Sequence, residues 1–259
     1  MKVGLIGAGN MARALARGWG DPVLVCDSGS GRARSLAQEF GGEAVSSCVE
    51  VAERAELVVL CHKPYQLDQV ADQIAGGARA VASVLGATST RSLQDAYPGV
   101  PVYALMPNTP VQLRQGIVVH AQPEPGATDV EDPQLQERVL ALFARLGEVV
   151  SVPERLIGVA TALSGVGPAY QALLAEAQID AAVRAGLAPA TAAQLVTATM
   201  SGSAALIAAR GHDTLAVRRE VTSPGGSTAR GLAALERAGL RTAFQDALDA
   251  VVSPPGRSG

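Results

Sequence analysis

The chain has 259 residues, is 48% hydrophobic with only 3% aromatic residues, and carries a formal charge of -3. At that length it can bury a substantial core without disulfides or metal, most simply as two domains. A charge this small gives no ground for a polyanionic partner, and no stretch interleaves Arg or Lys with aromatics as nucleic-acid binders do, so a small-molecule partner is expected and nucleic acid is not.

In chain order, the first half alternates short apolar runs with helical segments. The apolar run Val3 to Ile6 leads into a helix from Asn10, and Val23 to Cys26 leads into a helix after Ser30. Leu57 to Cys61, Ala80 to Leu85, Val102 to Met106 and Ile117 to His120 are further strand candidates, each bounded by turn signals or charges. The Pro-, Gly- and acid-rich segment 122–133 reads as an exposed loop, followed by a helix to Leu146 and a strand near Val149. Strand and helix in turn predict a doubly wound, mostly parallel α/β sheet covered on both faces, a Rossmann-like domain over residues 1–152.

From Glu154 the strand pattern stops, and helices are predicted at 155–163, 167–185, 189–210, 213–220, 226–237 and 240–251. Residues 153–251 therefore read as an all-helical domain and 252–259, Pro- and Gly-rich, as a flexible tail. The uncharged stretches 156–175 and 185–209 approach the roughly 20 apolar residues that span a bilayer. However, the first is broken by Ser164-Gly165-Val166-Gly167-Pro168 and the second is rich in Thr, Ser, Gln and Ala, a composition of protein interiors, so no membrane partner is expected. A helix from Pro189 to Ala209 without one charged residue must be buried on all sides. About 100 residues cannot easily cover it, which predicts that it lies at the centre of a homodimer.

Cys26, Cys48 and Cys61 are spaced like neither a disulfide framework nor a zinc site, so reduced thiols and a cytoplasmic location are expected, with Cys26 and Cys61 in strands. The opening residues have no signal-peptide pattern, and export is not expected. His62, His120 and His212 are scattered and read as structural or surface residues.

Gly7-Ala8-Gly9-Asn10-Met11-Ala12 follows the first apolar run and opens the first helix, the context in which G-x-G-x-x-G/A binds a dinucleotide. Gly7 allows the tight turn, Gly9 lets backbone approach a pyrophosphate, and Ala12 permits close packing of helix on sheet. The helix N-terminus at Asn10 and Met11 offers free N–H groups to phosphate. Asp27, about 20 residues on, suits the ribose hydroxyls of NADH, whereas Ser28, Ser30, Arg32 and Arg34 suit the 2′-phosphate of NADPH. The sequence leaves NADPH and NADH open.

Four further segments are Lys63-Pro64, Met106-Pro107-Asn108-Thr109-Pro110, Leu163-Ser164-Gly165-Val166-Gly167-Pro168-Ala169-Tyr170, and Val221-Thr222-Ser223-Pro224-Gly225-Gly226-Ser227-Thr228. In that order, after the nucleotide fingerprint, they resemble the pyrroline-5-carboxylate reductase family, and the resemblance covers the whole chain. It implies a Rossmann domain followed by a helical dimerisation domain, in a homodimer or a larger oligomer built from dimers. The implied reaction is NAD(P)H-dependent hydride transfer to the imine carbon of a small cyclic imino acid, 1-pyrroline-5-carboxylate, giving L-proline. Lys63, Pro64 and Asn108 are implied at the cofactor, with Asn108 also near the substrate. Ser223, Gly225, Gly226 and Ser227 are implied around the substrate carboxylate, and Thr228 as the catalytic hydroxyl on the ring nitrogen. The chain departs from the family pattern at Ala104, where Arg is usual, at Val166, where Ser is usual, and at Gly86-Ala87, which inverts an Ala-Gly pair. These departures keep two other readings open: a reductase of a different cyclic imine or ketimine acid, and a dinucleotide-binding dimer without catalysis.

Overall fold

The computed structural model describes residues 1–122 and 132–252, so the loop expected at 122–133 and the tail expected from 252 fall almost wholly outside the described residues. Strands β1 (Val3–Ile6), β2 (Leu24–Cys26), β3 (Glu43–Ala44), β4 (Leu57–Leu60), β5 (Val81–Ser83), β6 (Val102–Pro107), β7 (Gly116–Gln122) and β8 (Gly147–Pro153) form one sheet. Their order is β3-β2-β1-β4-β5-β6-β7-β8. All pairs from β3 to β6 are parallel, β7 runs antiparallel to β6, and β8 is parallel to β7. This is the mostly parallel, doubly wound arrangement that the alternating pattern predicts, with the last two strands, β7 and β8, reversed.

The sheet forms because its central strands are apolar on both faces. Leu57, Val58, Val59 and Leu60 are all fully buried, and alternate residues enter opposite cores. Leu57 and Val59 join Leu5, Leu15, Trp19 and Phe143 in one cluster; Val58 and Leu60 join Ile6, Ile74, Leu93 and Tyr97 in the other. Helices α1 (Asn10–Trp19), α2 (Arg32–Phe40), α3 (Cys48–Arg54), α4 (Leu67–Ile74), α5 (Thr90–Ala96) and α6 (Pro133–Ala144) link the strands. Trp19 secures α1 to α6: its indole N–H donates to the Leu142 carbonyl at 3.1 Å, and its ring meets Phe143 edge-on at 5.4 Å. A buried Trp needs such a partner for its N–H.

The sequence pattern did not disclose β3, whose two residues are both exposed and carry no apolar run. Cys61 lies one residue beyond β4, not within a strand.

The chain divides into two compact units, residues 1–168 and residues 169 onward. The first extends past β8 because α7 (Ile157–Ser164) packs on β7 and β8. The second holds most of α8 (Gly167–Arg184), then α9 (Pro189–Ala209), α10 (Thr214–Glu220), α11 (Ser227–Arg237) and α12 (Leu240–Val252). Within it, Tyr170 meets Phe244 edge-on at 6.5 Å, joining α8 to α12. Yet Ala192 is the one residue of α9 that is buried, while Leu195 is 54% exposed. The segments 154–184 and 189–209 have the length and mean hydropathy, 1.2 and 1.3, of membrane-crossing helices.

His120 on β7 is buried, with Nδ1 3.1 Å from Ser151 Oγ on β8, and burial holds its pKa below the ordinary value. Burial does the same to His62, against a smaller opposing effect of its bond to the Lys63 carbonyl. An unfolded histidine takes up its proton near pH 6.5, whereas these two resist it until lower pH, so their contribution is complete above that value and is lost as pH falls. The thermal midpoint should therefore drop between about pH 7.5 and pH 5.5, above the range where carboxylates titrate. His120→Gln should flatten that slope in thermal melts, and an unchanged slope in the variant would show that His120 takes up its proton freely in the fold.

Candidate functional site

The carboxyl ends of β1, β2 and β4 meet where the strand order reverses, the place where open parallel sheets bind ligands. A cleft of about 390 Å³ lies there. Its walls are Gly7 to Gly9 after β1, Asp27, Ser28 and Arg32 after β2, Ser46 to Cys48 at the start of α3, and Cys61 to Lys63 after β4. Gln66, Gln69 and Gln73 close one side.

The two fingerprint glycines do different work. Gly7 has φ 101, and a Cβ there would lie 2.7 Å from the Cys61 carbonyl carbon and oxygen and 2.8 Å from His62 N. It is glycine so that β1 and β4 can approach. A Cβ on Gly9 would meet nothing within 4 Å, so the space it leaves is open cleft. Gly9 precedes α1 without a side-chain cap, and the first helical bond runs from Arg13 N to the Gly9 carbonyl at 3.0 Å. The N–H groups of Asn10, Met11 and Ala12 come before that bond, at the positive end of the helix, as an anion requires. Ala12 is fully buried against the sheet. Asn10 and Met11 do not line the cleft with their side chains.

Asp27 is occupied by its own loop. One carboxylate oxygen accepts from Gly29 N at 3.1 Å; the other accepts from Ser30 Oγ, from Arg32 N at 3.1 Å and from Ala33 N at 3.3 Å. It thereby caps α2, whose own preceding residue, Gly31, supplies no side chain. Burial pushes the Asp27 carboxyl up, but these donors outweigh it and hold the pKa below the ordinary value. Arg32, on the cleft wall, donates from Nε to Ser30 Oγ at 2.8 Å.

Lys63, one of two lysines in the chain, is exposed on the cleft wall. Its N–H donates to Gln66 Oε1 at 3.1 Å, which tightens a short turn that begins at Pro64; Pro64 itself does not line the cleft. Asn108 follows β6 outside the cleft. Its Oδ1 accepts from Ile117 N at 2.9 Å and its Nδ2 donates to the Ser164 carbonyl at 3.2 Å, so it ties β7 and α7 together and keeps one Nδ2 hydrogen for a ligand.

Several wall residues lie outside the motifs recognisable in the sequence. Gln66, Gln69 and Gln73 recur at intervals of three and four, opposite the buried Leu67, Val70, Ala71 and Ile74, a polar stripe that periodicity could have revealed. Ser47 could have been read as a helix start, since Ser47-Cys48-Val49-Glu50 has the capping pattern and its hydroxyl accepts from Glu50 N at 3.1 Å, whereas Ser46 follows the unrecognised β3 and carried no signal of its own. His62 has Nδ1 2.9 Å from the Lys63 carbonyl, while its Nε2 is buried without a partner among the described residues.

The segment Ser223 to Thr228 lies in the second unit. Gly225 has φ 68, a conformation that favours glycine, while a Cβ on Gly226 would press on the Ser223 hydroxyl. Gly226 precedes α11 without a side-chain cap, and the first helical bond is Arg230 N to the Gly226 carbonyl at 3.2 Å. Ser227, Thr228 and Ala229 thus present free N–H groups in the same way as α1. Thr228 is exposed, and among the described residues its hydroxyl has no hydrogen-bond partner.

Comparison with known proteins identifies the lineage. Residues 154–254 match the model of pyrroline-5-carboxylate reductase dimerisation, and residues 2–86 that of NADP oxidoreductases, coenzyme F420-dependent. The pyrroline-5-carboxylate reductase of Synechocystis sp. is 34% identical, over 96% of this chain and 95% of the relative. The chain belongs to the pyrroline-5-carboxylate reductase family. Among solved structures, the Coxiella burnetii pyrroline-5-carboxylate reductase is 29% identical with a TM-score of 0.86, covering 97% of this chain and 96% of that one. The Plasmodium falciparum pyrroline carboxylate reductase with NADP bound is 25% identical with a TM-score of 0.83, covering 97% and 95%.

The departures from the family pattern have distinct surroundings. Ala104 is buried in β6, paired with Ser83 of β5 and packed in the second core cluster, where an arginine would have no space in this packing. Inverting Ala-Gly places Ala87 at φ 56, in the left-handed region where glycine carries no steric penalty.

The two fingerprint glycines can be separated experimentally. Gly9→Val should lose at least tenfold in dinucleotide affinity while costing about 1 kcal/mol or less in stability, since a Cβ there meets no atom within 4 Å and the main loss is a poorer cap. Gly7→Ala should instead cost more than about 2 kcal/mol, from strain at positive φ and from the collision with Cys61. Calorimetry of binding and of unfolding on both variants checks this; equal stability losses would mean that Gly9 is packed too.

Proposed function

We propose that this chain is a pyrroline-5-carboxylate reductase that transfers hydride from NAD(P)H to the imine carbon of 1-pyrroline-5-carboxylate and releases L-proline. The observation that carries the proposal is the pair of uncapped helix N-termini opened by glycine, α1 at Gly9 and α11 at Gly226. The first fits a pyrophosphate and the second a carboxylate, the two anions of this reaction. Following the family resemblance, the cofactor is assigned to the cleft residues Gly7, Gly9, Asp27, Ser28 and Lys63 with the flanking Asn10, Met11, Pro64 and Asn108, and the substrate to Ser223, Gly225, Gly226, Ser227 and Thr228, with Asn108.

A bound reduced nicotinamide supplies the hydride. The residues of the chain bind and orient: N–H groups of Ser227 and Thr228 hold the substrate carboxylate, and the Thr228 hydroxyl accepts from the ring N–H of the iminium. Such an iminium enters already protonated, so no strong acid is needed. The protein's contribution to rate is the approach of donor and acceptor carbons, about 3 to 3.5 Å.

NADPH is the favoured cofactor. Both oxygens of Asp27 already accept from the loop, which leaves them poorly placed for a ribose diol, whereas Ser28 and the Arg32 guanidinium line the cleft for a 2′-phosphate. The protein works in the cytoplasm as a homodimer, with residues 1–152 binding the dinucleotide and residues 153–251 serving dimerisation and substrate. An uncharged α9 with a single buried residue requires a cover, and a second copy presents the matching surface.

Purified protein should oxidise NADPH in the presence of 1-pyrroline-5-carboxylate, faster at low cofactor than NADH, and turn over the six-membered homologue poorly. Thr228→Ala should lower kcat about tenfold to a hundredfold, the loss of one hydrogen bond to a charged group, with dinucleotide affinity intact. Preference for the larger ring would transfer the proposal to another cyclic imino acid, and unchanged kinetics would remove Thr228 from the mechanism. By analytical ultracentrifugation the protein should sediment as a dimer or a multiple of dimers, and Leu195→Glu should yield monomer. A wild-type monomer at micromolar concentration would refute the dimer.

A further inference from the structure

Two thiols meet at the edge of the cleft without any role in the chemistry above. Cys26, the last residue of β2, is buried; Cys48, the first residue of α3, is half-buried and stands in the cleft wall beside Ser46 and Ser47. Their sulfur atoms are 3.0 Å apart. The approach is fixed by the sheet: Val45 N donates to the Val25 carbonyl at 3.0 Å, one residue before Cys26 and three before Cys48. A disulfide needs a closure of only about 1 Å, to roughly 2.05 Å.

We propose that Cys26 and Cys48 form a reversible disulfide on exposure to hydroperoxide, and that this bond weakens dinucleotide binding in the adjoining cleft. The second half of the proposal rests on the assignment of that cleft to the dinucleotide. The roles of the two sulfurs differ. Cys48 is half-buried in the cleft wall whereas Cys26 is buried, so peroxide reaches Cys48, which is the nucleophile, and Cys26 resolves. Cys48 sulfur attacks a peroxide oxygen, the O–O bond breaks, and hydroxide leaves and is protonated, giving a sulfenic acid on Cys48. Cys26 sulfur then attacks Cys48 sulfur, the S–O bond breaks, and hydroxide departs as water with the Cys26 proton. Two thiols lose two electrons, and hydrogen peroxide becomes two waters. Cys61 also lines the cleft, but burial pushes its thiol up to about 12, and it stays reduced.

Closing the bond draws the Ser46–Cys48 wall toward the Cys26–Asp27 end of β2, and both face the cleft. The coupling is reciprocal, so bound dinucleotide must also slow oxidation.

The test treats the reduced, full-length protein with hydrogen peroxide, with and without saturating NADP+, followed by peptide mass spectrometry, dithiothreitol reversal and kinetics. Expected are a peptide bridging Cys26 and Cys48, Cys61 still open to alkylation, a KM for NADPH raised about fivefold or more with kcat unchanged, and slower bridging under NADP+. In Cys26→Ala, peroxide should leave the KM at that of the variant's own reduced form. Absence of the bridged peptide, or a bridge that leaves KM unaltered, overturns the proposal. Should the reduced protein bind no dinucleotide at all, the cofactor assignment fails, and the bridge stands or falls on the mass measurement alone.

Discussion

The close approach of β1 and β4 at Gly7 is the constraint on which the first unit depends. Cys61 N donates to the Ile6 carbonyl at 2.8 Å and Gly7 N to the Cys26 carbonyl at 2.9 Å, so three strand ends converge on one residue that has no side chain. Any Cβ there would collide with the Cys61 backbone. The convergence brings the loops after β1, β2 and β4 to the rim of one cleft, and it determines the direction in which α1 leaves the sheet. Gly9 can present open space only because Gly7 has already brought the neighbouring strand into contact. The open space before α1 is in this sense a consequence of strand packing.

The second unit obeys a different constraint. One of its helices, α10, is capped by Asp213, which accepts from Ala216 N at 2.9 Å, and an ion pair joins Arg210 and Glu220 at 3.2 Å. A surface pair of this kind contributes about 1 kcal/mol at most. What the unit lacks is enclosed apolar surface, because α9 carries no charge and buries one alanine. Isolated helices gain most of their stability from packing of an apolar face, and within the unit α9 finds little of it. The same absence of charge gives the segment its mean hydropathy of 1.3.

Legibility in the sequence followed the strength of the periodic signal. Long apolar strands and uncharged helices were readable because burial on two faces leaves no polar residues to interrupt them, as at Leu57 to Leu60. β3 was not, being two exposed residues held by main-chain bonds to β2, and with it went Ser46 and the thiol contact of Cys48 with Cys26. Pairing of residues 22 positions apart is set by the sheet order and has no local sequence signature. The glycines of the fingerprint were recognisable as a motif, but their separate duties were not: φ and the neighbours of an absent Cβ exist only in three dimensions. Likewise Asn108 shows in sequence only as a turn residue, whereas in the fold its amide bridges Ile117 and Ser164.

Asp27 shows how one side chain can satisfy the fold and bias the ligand together. Had α2 begun with Ser or Asp at position 31, that residue would have capped the helix and left Asp27 free for a ribose diol. Gly31 provides no cap, and the carboxylate turns to the N–H groups of Arg32 and Ala33 instead. Four donors then spread over its two oxygens and lower its negative potential toward the cleft, while the same turn holds Arg32 on the wall through Ser30. An acid at the end of the second strand is therefore an incomplete guide to the cofactor. The identity of the residue four positions later decides whether that acid serves the helix or the ligand.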